Sequence, residues 1–174
     1  MFAASTLTPA FATHYYSGNK WINPIESYKC DANLTNIHYT GISPCTDLSG
    51  PATTWTNAPG KFELVFYSGS DKPVKSGDLG TTGTLAQAWV PTLFGTILSA
   101  DITFNSNAAV TFGNANTNPS VYDYQSVALH EFGHWVKYNH APETSSVMYA
   151  SIGVGVVKRT LNSHDSSGMG TIYQ

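Results

Sequence analysis

Two histidines and a glutamate in one short stretch carry the chemistry that this sequence most clearly offers. In His130-Glu131-Phe132-Gly133-His134 the imidazoles stand four residues apart, and His140 follows six residues later. On an α-helix, residues four apart share a face, so His130 and His134 can grip one ion. A catalytic zinc takes three protein ligands and keeps a fourth position for water, and His-Glu-x-x-His is a helical zinc motif. Glu131 lies about 100° round the helix from His130. From there it can reach a water on the ion without being a ligand, as a general base must. Taken singly, a histidine on a helix is more often an ordinary surface or core residue, so the spacing carries the inference.

The element that must position these groups is a helix from Tyr124 to about Val136. Ala128, Leu129, Phe132 and Val136 fall nearly opposite the histidines, giving one face for the core and one for the metal. Asp123 can cap the first turn by accepting its free N–H groups. His140 lies too far round to share the histidine face. It reaches the ion only if the helix ends near Lys137 and the chain turns back. A lysine in the left-handed region costs about 1–2 kcal/mol, which metal binding can offset.

The remainder of the chain suits a single α+β domain. Its 174 residues are enough for a sizeable core. Charged residues make up only 11%, the net charge is −3, and no lysine run occurs, which argues against nucleic acid or an anionic membrane as partner. No apolar run approaches the ~18 residues of a membrane span. Cys30 and Cys45, fifteen apart, are expected to pair in an oxidising compartment, closing a loop worth about 3 kcal/mol; two separate buried thiols are the alternative. Residues 1–12, with Ala10-Phe11-Ala12, read as the tail of a secretory leader or as a frayed arm, leaving 13–174 as the domain.

Strands are expected within Trp21 to Lys29, at Lys61 to Tyr67 with Phe62, Leu64 and Phe66 on one face, at Leu85 to Val90, and at Ile97 to Phe104. Leu48 to Trp55 reads as a short helix, although Gly50-Pro51 weakens it, and Asn33 to Tyr39 as strand or loop. Ser68 to Thr82 and Ala108 to Pro119 read as loops, and a final helix closes the chain. A mixed sheet over the histidine helix would leave a cleft with the metal at its floor.

With His140 and the downstream Ser146-Val147-Met148-Tyr149, the histidine stretch resembles the metzincin clan of zinc endopeptidases. Further matches point to the matrixin family: Tyr122 to Leu129 before the motif, Gly83-Thr84-Leu85-Ala86-Gln87-Ala88-Trp89, and Arg159-Thr160-Leu161 with Asp165 and Gly168 to Tyr173. The similarity is good from about residue 61 onward. The resemblance implies a secreted, monomeric zinc endopeptidase acting on extended protein or peptide substrates. It assigns His130, His134 and His140 as ligands of one catalytic Zn2+, and Glu131 as the base. It makes Met148 the structural methionine of a tight turn beneath the imidazoles, and Leu85, Ala86, Gln87, Ala88 and Trp89 the substrate-binding edge strand. Residues from Tyr149 to about Arg159, rich in Gly, Ala and Val, would shape an open or apolar pocket for the residue after the scissile bond.

Two departures from the family pattern stand out. Where a second, structural zinc would find histidines, this sequence has Ser76, Gln87 and Thr103, a set unsuited to tetrahedral zinc, so one ion is expected. Where the family turns on glycine, it has Lys137. A metzincin-like domain that binds peptide without cleaving it, and a non-peptidase zinc hydrolase or other zincin using Glu143 as ligand, are the competing readings. His14, His38 and His164 read as surface residues. Calcium through Asp78 or the Asn-rich loops has no support in the sequence.

Overall fold

The computed structural model describes residues 16–81 and 83–174. The leader-like stretch at 1–12 and His14 lie outside the described residues. Five strands make the main sheet, in the order β3 (Glu63–Phe66), β1 (Ile25–Cys30), β4 (Pro73–Gly77), β8 (Asp101–Asn105) and β5 (Ala86–Trp89). The first four run parallel, and β5 is antiparallel to β8, with Ala86 opposite Phe104 and Ala88 opposite Ile102. β2 (His38–Tyr39), β9 (Thr111–Gly113) and β10 (Tyr122–Asp123) form a small parallel sheet that leads straight into α3 (Tyr124–Trp135). A hairpin of β6 (Thr92–Leu93) and β7 (Thr96–Ile97) follows the edge strand. The fold is α+β, as expected.

The alternation in Asp-Ile-Thr-Phe-Asn sends Ile102 and Phe104 inward, where both are fully buried. They join Tyr28 and Val74 beneath α3, whose Ala128, Leu129 and Phe132 complete the core. The rings of Tyr28 and Phe132 lie 5.2 Å apart. On the other side of α3, α1 (Pro44–Asp47) and α2 (Ser49–Thr56) bring in Trp55, whose indole N–H donates to the Leu129 carbonyl at 2.8 Å. Gly50-Pro51 is tolerated because it falls in the first turn of α2, where N–H groups have no helical partner. Cys30 and Cys45 form a disulfide that ties β1 to α1.

Several strands differ from the sequence expectation. The segment read as a polar loop at 68–82 contains β4, which lies between β1 and β8. Its one large apolar residue, Val74, is fully buried. Ladder bonds to both neighbours hold it, and these leave no side-chain pattern to read. β9 likewise lies inside the stretch read as an Asn-rich loop, with Phe112 in the core. Ile97 to Phe104 is not one strand but the end of β7 and all of β8 except its last residue, Asn105. Phe66 is 59% exposed rather than inward: Leu64 on the same face of β3 is buried, but Phe66 stands at the very end of that outer strand. Asn33 to Tyr39 holds a 3₁₀ turn (Ala32–Asn36) followed by β2.

Candidate metal centre and substrate cleft

The helix α3 begins at a heavily used cap. Asp123 is fully buried, and its carboxylate accepts from the Ser126 N–H, the Ser126 hydroxyl, the Ala115 N–H and the Arg159 guanidinium. Burial alone would raise its pKa. Arg159 and the other donors outweigh that and hold it below its ordinary value. The start of the helix is thereby fixed to the chain at 159.

At the far end, the turn that the sequence left in question is made by Lys137 itself, at φ 73°. The Lys137 N–H donates to the His134 carbonyl at 2.9 Å and the Tyr138 N–H to the Gly133 carbonyl at 3.0 Å, the paired bonds of a Schellman ending. Three further contacts hold the turn. The Lys137 ammonium donates to the Val90 carbonyl at 3.0 Å, its carbonyl accepts from the Ser17 N–H at 3.1 Å, and the Trp21 indole donates to the Trp135 carbonyl at 2.9 Å. A left-handed lysine is thus supported by contacts with the segment ahead of β1 and the one after β5.

Past this turn the three histidines come together. His130, His134 and His140 each offer a ring nitrogen, and these atoms lie within 4.8 Å of one another. The ring Nδ1 of His130 meets the Val147 carbonyl at 2.8 Å, and that of His134 meets the Tyr138 carbonyl at 2.8 Å. With Nδ1 used as donor, each ring presents the lone pair of Nε2, the arrangement that orients imidazole ligands. The two Nε2 atoms are 3.1 Å apart. Zinc–nitrogen bonds of about 2.0–2.1 Å in a tetrahedron would set them about 3.3 Å apart. Burial, and next the neighbouring His134, push the His130 pKa down to about 3, and burial lowers that of His134 also. Both rings are then neutral at neutral pH, the form that binds metal. The donor set therefore fits a zinc ion.

Glu131 lies beside this cluster and is 5% exposed. Burial raises its pKa to about 8, with a backbone hydrogen bond from Ala88 acting in the opposite direction. A carboxylate so placed has the basicity to exchange protons near neutral pH. Glu143, the alternative ligand, instead faces His164 at 4.0 Å.

Met148 is fully buried at the turn Ser146 to Tyr149, closed by the Tyr149 N–H to the Ser146 carbonyl at 3.3 Å. Asp165, at the third position of α4 (Ser163–Ile172), fastens this turn. Its carboxylate accepts from the Ser146 hydroxyl at 2.5 Å and the Val147 N–H at 3.0 Å, and closes a capping box with Asn162. Because Val147 in turn accepts from His130, the chain Asp165–Val147–His130 links the last helix to the imidazole cluster. The sequence reading noted Asp165 only as part of a family pattern. Its Asn-x-x-Asp spacing marks a helix start, but nothing in it shows the partner across the fold.

A cleft of about 420 Å³ opens above these groups, lined by His130, Glu131, His134 and His140, by residues 83–88, and by 149–152 with Lys158. The upper rim is β5, the free edge of the sheet. Leu85 lies just before the strand and still lines the cleft, whereas Trp89 closes the strand and is 60% exposed outside it. Gln87 and Thr103 sit opposite each other in the β5–β8 ladder, and the Ser76 hydroxyl donates to the Asn33 carbonyl at 2.6 Å.

A mixed sheet with an antiparallel edge strand over a His-Glu-x-x-His helix is the fold of metalloendopeptidase catalytic domains. The chain belongs to the matrixin family, whose profile matches residues 47–174. It is 33% identical over 113 residues to the Arabidopsis thaliana metalloendoproteinase 2-MMP, an alignment that takes in 63% of this chain and 28% of that relative. The chain therefore spans well under half the length of the relative it matches.

Proposed function

We propose that this protein is a zinc-dependent endopeptidase that hydrolyses extended peptides, with His130, His134 and His140 as ligands of one zinc ion and Glu131 as general base. The observation that carries this reading is the convergence of three ring nitrogens beside a buried carboxylate, beneath an open strand edge. When bound there, zinc supplies Lewis acidity toward the scissile carbonyl and makes a water acidic enough to attack at neutral pH. Glu131 takes the proton of the attacking water and returns it to the leaving amine. The backbone of Leu85 to Ala88 pairs with the substrate as an added strand, which fixes the scissile bond over the histidines. Met148 and Asp165 keep the imidazoles from shifting as charge develops.

An extracellular setting agrees with the Cys30–Cys45 disulfide and with the family, and no helix among the described residues is long and apolar enough to cross a membrane.

The test is cleavage of a fluorogenic peptide library by zinc-loaded protein, with and without chelator, alongside Glu131→Ala. That variant should retain one zinc per chain and lose at least about a hundredfold in kcat. Wild-type turnover in Glu131→Ala would remove the glutamate from this role. Tight peptide binding without any cleavage by the wild type would identify a binding domain instead.

A further inference from the structure

The wall of the cleft beside the start of α3 carries a charge that the glycine- and valine-rich sequence there conceals. Val127, Val147, Tyr149 and Ile152 line this part of the cleft, and among them stands Lys158. The Lys158 backbone N–H donates to the Ser126 hydroxyl at 2.7 Å, and that hydroxyl is itself bonded to the cap Asp123. Its side chain then crosses toward the turn that holds Met148. There the ammonium donates to the carbonyls of Thr144 at 2.6 Å and Ser146 at 3.3 Å, and lies 5.0 Å from the centre of the Tyr149 ring. Among the described residues no carboxylate forms an ion pair with it. The one acidic residue lining the cleft is Glu131, at the edge-strand end against Ala88, while Asp165, behind the Ser146–Val147 turn, acts on the ammonium without touching it.

We infer that Lys158 makes this pocket selective for an acidic side chain, aspartate or glutamate, on the substrate residue that follows the scissile bond. The inference rests on the endopeptidase reading above, with the residue after the scissile bond in the pocket shaped by Tyr149 to about Arg159. An ammonium has three N–H donors. Two are used by carbonyls, which lend partial charge but do not neutralise it, and the third is free for a ligand. No carboxylate among the described residues touches the ammonium and Asp165 acts on it only from beyond ion-pair distance, so a substrate carboxylate would supply the contact it lacks. The apolar walls strengthen that contact by excluding water from it. Lys158 adds a cation to the open or apolar pocket that the sequence suggests, because it stands at the end of the Gly- and Val-rich stretch and its ammonium reaches back to the Thr144 and Ser146 carbonyls.

Three fluorogenic peptides that differ only in having Glu, Gln or Leu after the scissile bond test this. For the zinc-loaded wild type, kcat/KM should favour Glu over Gln by about tenfold. Lys158→Met, which keeps the aliphatic stem, should bring that ratio to about one, and Lys158→Arg should preserve the preference. If Lys158 only clamps the Thr144 and Ser146 carbonyls, Lys158→Met slows all three peptides alike; an unmoved ratio overturns the inference. Calorimetric binding of the same sequences as peptide hydroxamates reads the pocket independently of turnover. A Lys158-dependent preference for Glu there, without cleavage of any peptide, would sustain the pocket and refute the endopeptidase reading. No preference in either measurement would refute the pocket alone.

Discussion

Met148 occupies the space that a side chain at Gly133 would need. A β-carbon built on Gly133 collides with the Met148 sulfur and with the Trp55 indole. Gly133 precedes His134 on α3, so this close approach seats the methionine turn directly against the backbone that carries His130 and His134. The glycine is present for that contact, since a helix interior otherwise disfavours it by up to about 1 kcal/mol.

Gly133→Ala should therefore destabilise the protein although alanine is the better helix former. Overpacking of this kind costs about 1–3 kcal/mol. Urea titration of the zinc-loaded variant should show that loss, together with weaker zinc retention in a chelator competition. A gain in stability would mean that the methionine turn can withdraw without cost.

Lys137 gives a second test, of backbone conformation. Its φ of 73° is one that a β-branched residue adopts badly. Lys137→Val should lower stability by about 2 kcal/mol. Lys137→Gly should be tolerated, because relief of the left-handed strain offsets the lost bond to the Val90 carbonyl. Thermal melts of the two variants, with His140 ligation followed by zinc stoichiometry, decide between a strained turn and a permissive one.

Asp165 reaches the proposed metal centre through Val147, which links it to His130. Asp165→Asn leaves an amide where the Ser146 hydroxyl and the Val147 N–H both need an acceptor. Loss of such a supporting contact typically costs ten- to a hundredfold in metal affinity or activity. Zinc affinity measured by competition should fall by about that factor while the far-ultraviolet circular dichroism spectrum keeps its native form.

Asp123 predicts a pH dependence of stability. Its folded-state pKa is held below the ordinary 3.8, so the native state favours the charged carboxylate more than the unfolded chain does. That contribution is fully present above the unfolded pKa and is lost as pH falls through the folded one. Urea midpoints of the wild type should drop from pH 6 toward pH 3. Asp123→Asn should be less stable at pH 6 and show a shallower acid slope. Parallel slopes in the two proteins would show that the acid limb belongs to other groups.

How legible the molecule was in its sequence varied with the range of the interactions involved. The α3 boundaries, its Asp123 cap and its two faces follow from local spacing, and the helix runs Tyr124–Trp135 with that cap in place. The edge strand at Ala86–Trp89 and the central β8 carry enough alternation to be read. β4 does not, because Pro-Val-Lys-Ser-Gly has a single large apolar residue, Val74, and its place in the sheet comes from ladder bonds to β1 and β8. Phe66 reads as core by its type and lies exposed at the end of the outer strand β3, whereas Leu64 on the same face is buried.

The sequence by itself determined which groups could do chemistry: two imidazoles on one helical face, a glutamate one residue on, and a third histidine at a distance that requires a turn. Those relations depend on helix geometry and span only a few residues. The tertiary structure alone decided whether that turn could be made at Lys137, because its support comes from Ser17, Trp21 and Val90, far away along the chain. It also decided that Asp165 holds the methionine turn and that Lys158 lines the cleft. Spacing along a chain fixes what neighbours on one element can share, whereas contacts between elements depend on how the sheet and helices pack around a common core.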